Sequence, residues 1–125
     1  MCYLESLYFK ERIGLSQSLC NTSLPVCTSG EVSIMIKRIT KTFSREELFF
    51  IRDSNNCFSF IQPRIENAKE YTWYVSLHPG TYTIQMIDTY GDYWSNGSNV
   101  TIMREGFTIG TFRCIGKYKE ETFTI

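Results

Sequence analysis

The chain has 125 residues, the size of one domain, and its 42 % apolar and 15 % aromatic residues are enough to bury a core. Thirteen basic residues balance thirteen acidic ones with no run of one sign, which excludes the basic face a nucleic acid requires and electrostatic attachment to a membrane. No stretch is long and apolar enough for a transmembrane helix, so no membrane span is expected.

In chain order, Tyr3-Leu-Glu-Ser-Leu-Tyr-Phe9 is aromatic and reads as an edge strand or arm. Glu5, Lys10, Glu11 and Arg12 interrupt what would be the apolar region of a signal peptide over Met1 to Ser18. Either a signal lies upstream of a fragment or the route is not secretory. Residues 14–30 are rich in Ser, Thr and Cys, with Pro25 and Gly30, and read as a loop. Residues 1–29 therefore form an N-terminal arm and Cys-containing loop, and 30–125 the domain proper.

Residues 31–39 alternate, with Val32, Ile34 and Ile36 on one face and Ser33, Met35 and Lys37 on the other, which predicts a half-buried strand. A second strand is expected at 46–52, a turn at Asp53-Ser-Asn-Asn56 and a returning strand at 57–61. Polar residues 62–70 connect to a strand at 71–77, whose Trp73, Val75 and Leu77 share a face. After the His78-Pro79-Gly80 turn, residues 81–88 put Tyr82, Ile84, Met86 and Asp88 on one face. A loop at 89–98, strands at 99–104 and 107–113 around a Glu105-Gly106 turn, and a last strand at 119–125 complete the chain. Eight or nine short strands at regular spacing, almost no Ala, and no helical period predict an all-β chain: a single antiparallel β-sandwich of jelly-roll type.

The five cysteines include no CxxC pair, and His78 is the single histidine, so a structural zinc site is not expected. Disulfides are the better reading and imply an oxidising compartment. Cys20 and Cys27 bracket a short loop, Cys57 and Cys114 stand where two strands could be bridged, and Cys2 is left over. The alternative is five free thiols in an intracellular protein.

Residues 77–94 read L-H-P-G-T-Y-T-I-Q-M-I-D-T-Y-G-D-Y-W. Gly80, Tyr82, Asp88, Gly91, Asp92 and Trp94 fall where a recurring module has L-x-x-G-x-Y followed by D-S-x-G-D-G-W. The segment resembles the CUB-like β-sandwich of secreted and surface proteins of protists, algae and bacteria. The likeness extends over about residues 30–125 and leaves 1–29 outside it. It implies an accessory or adhesive domain without catalytic residues of its own. Two departures stand out: Thr89 replaces the commoner Ser, and Tyr93 replaces the second loop glycine, where a positive φ is expected.

Asp88 and Asp92 lie four apart across a glycine turn and can converge, with loop carbonyls, on a hard cation such as Ca²⁺. Alternatively each pins the turn through backbone N–H groups, with Trp94 plugging the end of the sandwich. Asn21, Asn96 and Asn99 open N-x-S/T sequons and are candidate glycosylation sites. Tyr90, Tyr93 and Trp94 are candidate ligand or interface aromatics, joined by Tyr71 and Tyr74. Catalysis finds no support: G-x-S-x-G is absent, and Glu46 and Glu47 point to opposite faces of their strand. The expected role is a non-catalytic structural or adhesive module of an extracellular, cell-surface or filamentous assembly, joined by self-association through strand edges and arms, namely the N-terminal arm and the 119–125 strand. The alternatives are a carbohydrate-binding accessory domain of a secreted hydrolase and a small capsid or virion-surface protein.

Overall fold

A computed structural model describes residues 30–125; the expected arm and loop at 1–29, with Cys2, Cys20, Cys27 and Asn21, lie outside the described residues. The described residues form eight strands: β1 Val32–Ile39, β2 Glu47–Arg52, β3 Phe58–Ile61, β4 Glu70–Leu77, β5 Thr81–Asp88, β6 Asn99–Arg104, β7 Phe107–Phe112 and β8 Tyr118–Thr124. They make two four-stranded sheets, ordered β4-β1-β6-β7 and β3-β2-β5-β8, in which neighbouring strands are antiparallel. The fold is the expected all-β sandwich. The strand expected from residue 46 begins at Glu47, because Ser44–Glu46 close a 3-10 turn.

The period of two explains the layering. Ile34 and Ile36 of β1, Phe49 and Ile51 of β2, Val75 and Leu77 of β4, and Tyr82, Ile84 and Met86 of β5 all point between the sheets, where Val100, Ile102, Phe112 and Phe123 meet them. A one-residue slip in any of these strands would turn its apolar set outward, so the core fixes the register. The last strand is tied in: Tyr82 faces Phe123 in the ladder, and Ile125 and Gly80 exchange two backbone hydrogen bonds of 2.9 Å. The C-terminal strand thus pairs inside its own sheet.

The strand registers also sort the connections by end. Ile39, Glu47, Asp88 and Asn99 stand together in the ladders, so the links 40–46 and 89–98 meet at one end of the sandwich. Val32 pairs with Leu77 and Arg52 with Thr83, which puts the entry to β1 and the 53–57 turn at the other end.

A candidate site at one end of the sandwich

The site end is organised by a buried charge. Continuing the β1 alternation places Arg38 on the inward face with Ile34 and Ile36, and its side chain is fully buried. Its Nη2 donates to Glu47 Oε1 at 2.8 Å, its Nε to Gln62 Oε1 at 3.0 Å, and its Nη1 to the Ile39 carbonyl at 2.7 Å. Glu47 also accepts from Ser98 Oγ at 2.9 Å and from Ser95 N at 2.7 Å, while Gln62 Nε2 donates to the Glu47 carbonyl. Burial pulls Arg38 below its ordinary proton affinity, opposed by the hydrogen bond and charge of Glu47. A guanidinium still stays charged at neutral pH. Both charges are thus paired and hydrogen-bonded, the condition under which an ion pair persists in a core.

Trp94 lies under this pair, with the Arg38 guanidinium carbon 4.2 Å from its ring centroid. Trp94 Nε1 donates to the Ile87 carbonyl at 3.0 Å, and Arg113 Nη2 donates to the Trp94 carbonyl at 2.7 Å. Trp94 is fully buried, so it leaves the set of ligand aromatics and plugs the end of the sandwich instead. Tyr90 and Tyr93 remain outside, 76 % and 53 % exposed. Tyr93 has φ 82°, so the loop keeps the left-handed bend expected of a glycine there and Tyr93 carries the strain.

Above the plug stand three carboxylates. Glu46, Asp88 and Asp92 each place one oxygen within 4.8 Å of the other two. Asp88 is buried at the end of β5, and its Oδ1 accepts from Tyr90 N at 3.0 Å and Gly91 N at 3.2 Å, which sets the turn. The 3-10 turn brings in Glu46, whose carbonyl accepts from Thr89 N at 2.9 Å. Desolvation raises the Asp88 pKa; the two N–H bonds oppose it and the neighbouring Asp92 adds to it. Glu46 is raised too, by desolvation and then by the charges of Asp92, Asp88 and Glu47. Among the described residues no ion pair ties a basic side chain to these three. The donors fit a cation such as Ca²⁺: oxygens about 2.3–2.6 Å from one ion lie at most about 5 Å apart.

The structure thus brings the expected Asp88 and Asp92 together and adds Glu46. The adjacency of Glu46 and Glu47 hid this: the first turns out to the surface group, the second into the Arg38 pair. Beside Glu46, a shallow groove of about 600 Å³ runs past Phe43, Arg45, Glu66 and Asn67. Of the sequons, Asn96 is exposed on the loop. Asn99 is half-buried, donates from Nδ2 to the Gly97 carbonyl at 3.2 Å and keeps Oδ1 away from solvent.

The expected bridge between Cys57 and Cys114 is corrected. Cys114 is a free, fully buried thiol that faces the carbonyls of Met86 and Gly116 at 3.5 and 3.4 Å. It sits at the carboxylate end, after β7, whereas Cys57 follows the turn at the opposite end, so the length of the sandwich separates them. Tyr74 points outward as its alternation requires, whereas Tyr71 stacks on Trp73 at 5.6 Å and 8°. Compared with known protein families, curated proteins and solved structures, the chain has no match.

Proposed function

We propose that the chain is a non-catalytic structural or adhesive module of an extracellular, cell-surface or filamentous assembly, associating through its sheet edges. The observation that carries this reading is β7. It forms an edge among the described residues, six residues long and without a charge, with Phe107 77 % exposed at its start. Natural edge strands are usually guarded against pairing by charge, and β8 has Lys119, Glu120 and Glu121 for that purpose. An edge without a charge, though bulged at Ile109 against β6, still offers backbone groups to a strand from another subunit. Thr111 is exposed on β7, so Thr111→Lys places a charge on that edge without touching the core. Light scattering is expected to show an oligomer for the natural chain and a monomer for Thr111→Lys, with unchanged circular dichroism. A natural chain that stays monomeric at the highest soluble concentration refutes the reading.

Within this role Glu46, Asp88 and Asp92 hold a Ca²⁺ that closes the 89–94 loop, and Asn96 bears a glycan. A site of extracellular grade, with Kd of about 10⁻⁴–10⁻³ M, would stabilise the fold by about 1.4–2.7 kcal/mol at a ten- to hundredfold excess of ion. A second reading, a carbohydrate-binding accessory domain, draws on the exposed aromatic rings of Tyr90 and Tyr93 on the 89–98 loop. It expects binding to an insoluble polysaccharide that Tyr90→Ala and Tyr93→Ala both abolish. Binding that survives both changes removes it.

A further inference from the structure

The links 40–46 and 66–69 are tied together at the carboxylate end of the sandwich. Thr40 N donates to the Lys69 carbonyl at 2.9 Å and Ala68 N to the Lys41 carbonyl at 2.8 Å. Thr40 Oγ1 donates to the Glu66 carbonyl at 2.6 Å, and buried Ser44 donates from N and Oγ to Asn67 Oδ1 at 2.9 and 2.8 Å. Both links line the shallow groove of about 600 Å³. Small-ligand sites span about 300–1,000 Å³. In the groove wall the Phe43 side chain is 66 % exposed, on a left-handed backbone with φ 56° that costs an aromatic residue energy. Both neighbours are anchored: the Thr42 carbonyl accepts from Ser95 Oγ, and Ser44 is held by Asn67. The fold thus holds an apolar ring out at the groove.

The polar atoms around that ring fall into two sets. The backbone donors of the walls are spent: Thr40, Glu46 and Ala68 bond to carbonyls, Ser44 to Asn67, and Glu66 N donates to the Tyr71 hydroxyl at 2.7 Å. The side chains are not. Among the described residues no ion pair or hydrogen bond engages the Arg45 guanidinium or the Glu66 carboxylate. The Ser44 N–H fixes the Asn67 amide, because it can meet only the oxygen, and leaves Nδ2 with two unused donors. A peptide is recognised through free backbone groups or an apolar stripe, and these walls offer neither. A phosphate or sulfate would meet Glu46 and Glu66 as well as Arg45, so an anion does not fit. A sugar does. The apolar C–H face of a pyranose lies on an aromatic ring, and its hydroxyls, each a donor and an acceptor, match a guanidinium, a carboxylate and an amide together.

We propose that this groove binds a neutral glycan, with a pyranose ring stacked on Phe43 and its hydroxyls held by Arg45, Glu66 and Asn67. The site shares no residue with the β7 edge and does not rest on the assembly reading. It gives the module a ligand of its own: the edge joins subunits, and the groove holds a glycan. It is also separate from Tyr90 and Tyr93, which do not line it.

The test is binding of the full chain to immobilised neutral oligosaccharides of glucose, galactose, mannose and N-acetylglucosamine, printed beside sulfated and uronic-acid glycans and a peptide library. The expected result is retention on a neutral glycan. Phe43→Ala should weaken it by about tenfold or more, the effect of losing a buried aromatic side chain, while Phe43→Tyr keeps it. Arg45→Ala changes an exposed side chain without a described partner, so the fold is not at risk, and it should weaken binding by about threefold. Circular dichroism should be unchanged in all three. No binding to any neutral glycan overturns the proposal, as does binding confined to acidic glycans or to peptides. Binding that survives both Phe43→Ala and Arg45→Ala, including binding lost only in Tyr90→Ala and Tyr93→Ala, overturns it too. A chain that binds a glycan as a monomer refutes the edge reading and leaves this site standing, so the two failures are told apart.

Discussion

Replacing Arg38 by Met is the sharpest probe of the site end. The change keeps an unbranched apolar stem but removes the hydrogen bonds to Gln62, Glu47 and the Ile39 carbonyl, and the cation over Trp94. Glu47 is then left buried with only Ser95 N and Ser98 Oγ as side-chain partners. Removing one member of a buried pair typically costs about 3–5 kcal/mol, because the other charge stays desolvated. A domain of this size has about 5–15 kcal/mol in all, so the variant is expected to fold but only marginally. With an m-value of about 2 kcal/mol per molar urea, the midpoint falls by about 2 M. The assay is urea unfolding followed by tryptophan fluorescence, because Trp94 sits directly beneath the substituted side chain. Arg38→Met with Glu47→Leu should cost less than the sum of the two single changes, by about 0.5–3 kcal/mol. A midpoint shift below about 0.5 M for Arg38→Met would place the pair with exposed salt bridges of about 0–1 kcal/mol and refute the argument.

Three further outcomes follow from the loop. Tyr93→Gly removes a left-handed tyrosine that is mostly exposed and should stabilise the domain by about 0.5–1 kcal/mol after the entropy of the added glycine; a fall in the thermal midpoint contradicts this. Asp88 and Glu46 have raised pKa values, from ordinary values of 3.8 and 4.5, so their protonated forms favour the folded state. Their contribution is fully present below those values and lost as pH rises through the raised ones. Without divalent ion, Asp88→Asn should therefore flatten the pH dependence of the melting temperature above pH 4, and it should abolish any gain from Ca²⁺. An unchanged profile contradicts the assignment. In a eukaryotic secretory host, Asn96→Gln should remove glycan mass while Asn99→Gln leaves it, since Asn99 is half-buried at the start of β6; the reverse pattern contradicts the placement.

Period-two alternation made most of the sandwich legible, because each strand has one face in the core: Tyr82, Ile84, Met86 and Asp88 point together as their spacing requires. The same rule, carried one step past Lys37, puts Arg38 inside, yet a basic residue near a strand end reads as solvent-facing until its partner is known. That partner, Glu47, lies in the other sheet. Asp88 and Asp92 were visible as a local pair. Glu46 was not, because a three-residue 3-10 turn rather than a strand aims it. The Cys57–Cys114 pairing failed because spacing along the chain says nothing about which end of a strand a residue occupies.

Amide hydrogen exchange of residues 107–112, measured across a wide range of protein concentration, tests the central claim most directly. Association through the β7 edge predicts that β7 amides left unpaired by β6 gain at least tenfold protection as concentration rises, while those of guarded β8 do not change. Equal, fast exchange of those amides at every concentration would contradict an assembly built on this edge.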